Sequence, residues 1–232
     1  MTQTLDRPVA DGQARQRSIP GPLWRVAGGL VILHVVLMLA GFSQEKSVML
    51  TDSPDTLQKT YLSGTLGRIF AGGYVEMLAF LVLIPAVIFL SRALGRTTET
   101  GRWAAQTALA AGVIYVASTV TIGLPAGAAA VYGAHHHLAD PGTLSVINDV
   151  RNFAYFLSLA VLGVHALATG IAALADGVMR RWVGFGGIAA GTVMVLAMTA
   201  QGWFDAVNFS SLIWMIWWVG VGISLLRRPS TR

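Results

Sequence analysis

The stretch from Ile69 to Leu90 carries one charged residue, Glu76, in an otherwise apolar run. As a helix it is about 33 Å long, close to the thickness of a bilayer's hydrocarbon core. In lipid, an isolated segment can satisfy its own backbone only as a helix. An ionisable group at that depth costs at least about 2.5 kcal/mol on insertion, so Glu76 needs a partner or a purpose.

Five more blocks share this character. Spans at about 23–42, 69–90, 103–124, 152–175, 182–200 and 210–226 predict an all-α polytopic membrane protein. The expected architecture is a bundle of six transmembrane helices with short extracytoplasmic loop helices. Residues 22–228 would form one transmembrane domain between a disordered cytoplasmic tail (1–21) and a short second tail (229–232). The first block is long for a cleaved signal peptide, and Leu39-Ala-Gly-Phe42 is a poor cleavage site, so it is read as a retained span. Only 12% of the 232 residues are charged, against about 25% in soluble domains. The absence of cysteine excludes disulfides, thiolate metal sites, thiol nucleophiles and c-type haem.

The net charge of +5 does not point to nucleic acid, because the arginines sit at the ends of apolar blocks. Twelve basic residues fall on one side of the predicted spans. Lys46, Lys59, Arg68 and Arg151 fall on the other. This split predicts a multi-pass protein of the cell (plasma) membrane with both termini cytoplasmic.

Between the spans, Ser53-Pro54-Asp55-Thr56 has the form of an N-cap followed by proline, which predicts a short helix to about Leu62. Ala139-Asp140-Pro141-Gly142 repeats that form in the second long loop, 125–150, which Pro125 is expected to open by stopping the third span. Small residues at Ala104, Ala108 and Gly112, and at Gly187 and Gly191, suit close helix contact. Trp203, Trp214, Trp217 and Trp218 are read as ordinary interface anchors.

Several of these pieces recur in a known arrangement. Arg25-Val-Ala-Gly-Gly opens the first span, the Pro54-Asp55 helix follows, and then comes the small-residue entry to Glu76. Asp149-Val-Arg151-Asn152 leads into the fourth span, and Arg180-Arg181-Trp182-Val-Gly-Phe-Gly opens the fifth. In this order the chain resembles the bacterial six-span membrane proteins of the domain-of-unknown-function family 4386, over most of Leu23 to Leu226. The resemblance implies an architecture and no activity. The triple histidine is not part of it.

The candidate chemistry centres on Glu76, about 12 Å inside its span. His34, Tyr115, Thr119, Tyr155 and Ser158 are expected at the same layer, with Arg151 just above and Gln201 and Asp205 capping the fifth span. The functional reading is an outward-facing polar layer that binds or passes a small molecule or ion. The bland reading is a satisfied network that fixes helix packing. His135-His136-His137 offers at most a weak zinc site through His135 and His137 on an extended segment, since consecutive residues diverge. His165 is expected about 7 Å deeper than His34, which argues against a b-type haem between them. No cofactor is therefore assigned. No hydrolase, metalloprotease or phosphate-loop motif is present, so an intramembrane enzyme ranks last. A non-catalytic structural or regulatory subunit, acting through helix contacts with a second copy or a membrane partner, ranks second. The lipid bilayer is the one partner that composition requires.

Overall fold

A computed structural model describes residues 19–44, 48, 52–200 and 204–227, with side chains left out at 200 and 204–207. The described residues are α-helical apart from short connections. The helices are α1 (Gly21–Phe42), α2 (Pro54–Leu62), α3 (Leu66–Ala93), α4 (Glu99–Ser118), α5 (Leu124–His135), α6 (Pro141–Asp176), α7 (Arg181–Ala197) and α8 (Phe204–Leu226). Five stretches are long and apolar enough to cross a membrane: α1, α3, α4 continued through α5, α6, and Asn208–Leu226 of α8. The apolar α7, at 17 residues, is shorter. The protein is thus an all-α polytopic membrane protein.

The long helices pack neighbour to neighbour in the cyclic order α1, α3, α4, α6, α7, α8 and back to α1. The tightest seam joins α6 to α7. A Cβ on Gly191 would collide with the Gly163 carbonyl, and one on Gly187 would lie 2.9 Å from the Ala166 oxygen. Only glycine lets these backbones touch, as the small-residue spacing suggested. Ala104 and Ala108 of α4 are likewise buried.

Both expected caps form. Ser53 Oγ accepts from the Thr56 amide at 3.2 Å, and Asp140 Oδ1 accepts from Gly142 and Thr143 at 2.9 and 3.1 Å. The Thr143 hydroxyl, together with these amides, holds the exposed Asp140 carboxyl below its usual range. With α5 and the start of α6, α2 builds a small second core around Leu57, Tyr61, Val131 and Leu144. We call this the cap end, and the opposite end, with Arg92, Arg96, Arg102, Arg180 and Arg181, the basic end.

Three expectations are corrected here. Pro125 does not stop a helix: α4 passes through a π-helical turn, Thr119–Gly123, into α5. Pro125 occupies the first turn of α5, where a missing amide is tolerated. The loop 125–150 is therefore mostly helix. Nor is the Asp140-Pro141 helix separate from the span behind it. The two form one 36-residue helix, α6, about 54 Å long and well beyond a bilayer's hydrocarbon core. Finally, Trp214, Trp217 and Trp218 do not anchor at an interface. All three are buried in the core, and Trp217 Nε1 donates to the Val183 carbonyl of α7 at 2.9 Å. Trp203 lies outside the described residues.

Candidate functional site

Glu76 is buried on α3 with 6% exposure. It lies against Gly41 of α1, where a Cβ would collide with its Cγ. It lies within electrostatic reach of Tyr115 of α4 and Tyr155 of α6, and Tyr155 is also within reach of Arg151. The Tyr155 hydroxyl reaches Ser211 of α8. Tyr115 is buried, while Arg151 and Tyr155 are half-buried. These four residues therefore share one neighbourhood in the half of the molecule nearer the cap. The π turn borders it: its neighbour Tyr115 receives the hydroxyls of Ser118 and Thr119 on its carbonyl oxygen. Such turns recur at functional sites. Asp205 belongs to the backbone of α8, but its side chain, like all of Gln201, lies outside the described residues.

His34 takes a different place. It is fully buried, and its Nδ1 lies 2.8 Å from the Ala79 carbonyl of α3. His165 repeats this on α6, with Nδ1 2.8 Å from the Ala108 carbonyl of α4. A carbonyl can only accept, so Nδ1 carries the proton in each ring. In the neutral imidazole, Nε2 is then a bare acceptor. An aromatic arc joins the two rings. His34 meets Trp214 edge-on at 5.9 Å, Trp214 stacks on Trp218 at 5.4 Å, and Trp218 meets His165 at 5.4 Å. Phe80 extends the arc from His34 to Tyr115.

Counted from the basic end, His34 lies thirteen residues into α1 and His165 eleven into α6. That difference is about 3 Å, not 7. The expected mismatch came from counting the two rings from Phe42 and Asn152 as if those two positions were level. The stacked tryptophans occupy the space between the two rings.

More polar residues line the same interior, and of these sequence reasoning did not single out Asn148, Asn152 and Thr169. Asn148, Asn152, Tyr155, Ser158, His165 and Thr169 recur along one side of α6, at spacings of three, four and seven. All but Tyr155 are fully buried. Tyr61 of α2 donates to Asn148 Oδ1 at 2.5 Å. Among the described residues, Asn148 Nδ2, Asn152 Nδ2, His165 Nε2, Thr169 Oγ1, His34 Nε2, and Nε1 of Trp214 and Trp218 are buried without a hydrogen-bond partner in the protein. Each such atom costs about 1–3 kcal/mol unless something satisfies it, and native proteins hold few. The signal that could have found them is the helical spacing of Asn148, Asn152 and Tyr155, which continues into the apolar part of α6.

The triple histidine diverges. His135 ends α5 and bonds the Tyr61 carbonyl through Nε2 at 3.0 Å. The His136 ring packs on Tyr132 at 4.1 Å, and His137 turns away with φ 53°. No extended segment brings His135 and His137 to one side. Among the described residues, no three His, Asp or Glu side chains converge as a metal site.

Asp176, at the end of α6, is a further residue that the sequence did not single out. Its carboxylate accepts from the Arg96 amide at 2.7 Å, the Thr97 hydroxyl at 2.9 Å, and the Thr98 amide and hydroxyl at 3.2 and 3.1 Å. Partial burial opposes the charge, but these donors outweigh it and hold the carboxyl below its usual range. The contact ties the α3–α4 turn to α6.

No curated protein and no solved structure matches the chain. The family described as Domain of unknown function (DUF4386) matches residues 26–228, from within α1 to just past the end of α8, so the chain belongs to that family.

Proposed function

We propose that the protein binds or moves a small polar molecule or ion along a buried polar seam that starts at Glu76. The reading rests on one observation. Among the described residues, seven buried polar atoms without protein partners lie on α1, α6 and α8, from Asn148 near the cap end down α6 to Thr169. A dry structural network would pair such atoms with one another. Here amide and indole donors are mixed with imidazole acceptors, which suits water, an ion with its hydration, or a small hydroxylic or carbonyl solute. Six spans cross the plasma membrane of a bacterial cell in this reading, with α7 as the shortest. The basic end faces the cytoplasm, so the cap covers the outer entrance.

Trp214 and Trp218 make the seam its own reporter. Small cations and neutral polar solutes are screened against the purified chain by tryptophan fluorescence, then in vesicles for flux. At least one should shift the emission of the wild type, and Glu76→Gln should fold normally yet lose the shift and the flux. If no solute moves either signal, the reading fails.

One observation favours a structural alternative. His34 and His165 each tie two helices through a backbone carbonyl. A subunit that works through helix contacts would need such ties and no ligand. Topology tests both readings: reporters at Ser53 and at residue 232 should fall on opposite sides of the membrane.

A further inference from the structure

A second site lies at the basic end, away from the seam. A pocket of about 190 Å³ opens between the start of α1, the α6–α7 turn and the end of α8. Trp24, Val178, Met179 and Leu225 are its apolar lining residues, and Arg180, Arg227 and Ser224 its polar ones. Trp24 is held edge-on against Phe89, with ring centroids 5.1 Å apart. Both arginines are exposed, and among the described residues neither guanidinium has a hydrogen bond or an ion pair. Arg180 and Arg227 thus share a pocket with no Asp or Glu in its lining. They stand where the apolar helices end, at the level of lipid headgroups.

We infer that this pocket binds the phosphate of an anionic phospholipid, with one acyl chain against its apolar wall. Guanidinium forks match phosphate oxygens in geometry and charge, and basic pockets between membrane helices hold acidic headgroups. A free phosphate would use the same arginines but gains nothing from Leu225, Met179 and Val178. The wall therefore favours lipid over a soluble anion. The site is independent of Glu76, and the proposed orientation decides only which leaflet supplies the lipid.

The test uses the full chain in phosphatidylcholine nanodiscs titrated with spin-labelled phosphatidylglycerol. One lipid per chain should be retained in preference to labelled phosphatidylcholine. The double variant Arg180→Gln/Arg227→Gln should weaken retention about 30-fold, given the usual gain per basic residue near an acidic surface. Arg92→Gln/Arg102→Gln removes the same charge elsewhere on the basic end and should leave retention unchanged. Equal losses in both variants would reduce the effect to general surface charge and overturn the site. Competition by millimolar inorganic phosphate as effective as that by the lipid would make it a soluble-anion site and overturn the lipid assignment. Helical circular dichroism of each variant separates lost binding from lost folding.

Discussion

Glu76 and Asp176 are both carboxylates set against a glycine of a neighbouring helix, and they could hardly be placed more differently. Asp176 sits at a helix end with four donors converging on it from the α3–α4 turn. Glu76 sits within α3, among tyrosines and near an arginine of another helix. Water competes for Asp176, so its donors are specific and close-fitting. Little water competes for Glu76, so even distant hydroxyls and charges matter. A carboxylate supplied with backbone amides has a structural job. One surrounded by side chains that can turn or titrate is free to take part in binding.

The largest effect should come from Asp176→Ala, which strips four hydrogen bonds from the basic end. Thermal unfolding in detergent should show a loss of about 3 kcal/mol. Asp176→Asn should recover only part of it, because one of its two oxygens becomes a donor facing donors. The folded carboxyl titrates below its ordinary value of 3.8, so its contribution is full above that value and fades as pH falls through the folded value. Wild-type stability should therefore drop with acid in that window, and Asp176→Asn should drop less. An acid response identical in both would break the contrast.

Next in size is Glu76→Leu, expected to cost about 1–3 kcal/mol by leaving neighbouring polar groups unsatisfied. Glu76→Gln should cost under about 0.5 kcal/mol, since an amide serves the same hydroxyls. If Gln proves as damaging as Leu, the charge itself holds the helices together, and Glu76 is as structural as Asp176.

The smallest effects separate the two glycines. Gly101→Ala places a Cβ on Asp176 Oδ1 and 2.8 Å from Thr98 Oγ1, so two fixed acceptors must move. Gly41→Ala meets chiefly the Glu76 side chain, whose methylenes can rotate away. The first should cost about 2 kcal/mol and the second about 1 kcal/mol, in line with modest overpacking. Reversal of that order in melting temperature would mean that Glu76 is the more rigidly held.

Local signals were legible in the sequence. Both caps were, because an N-cap followed by proline specifies its own geometry. So was the helical membrane class, because apolar length decides it. What escaped depended on tertiary context. The wide π turn lets Pro125 begin a helix where sequence rules expect an end. The tryptophans of α8 gave no sign of burial because that helix is apolar on every side, so no face stands out. The Asp176 contact joins residues about eighty apart, and only the thread Asp-Gly beside Thr-Thr hinted at it. Of the polar layer, Glu76, Tyr115, Tyr155 and Arg151 were legible by depth alone, while His34 turned to a backbone carbonyl that no spacing rule reveals.

The π turn at Thr119–Gly123 also sets a phase. A wide turn accommodates one surplus residue without breaking the rod, so α5 continues α4 but is rotated relative to it. Each residue in an α-helix advances about 100° around the axis. Deleting a single residue such as Val120 would restore regular winding and leave the far end of the rod in phase, whereas regular winding with all five residues kept would swing it by that angle. In that second case His135 would leave the Tyr61 carbonyl, and Gly127 would leave Arg151, beside which a Cβ would stand 3.1 Å from Cδ. The widened turn thus keeps the cap end in register with the helices that carry it.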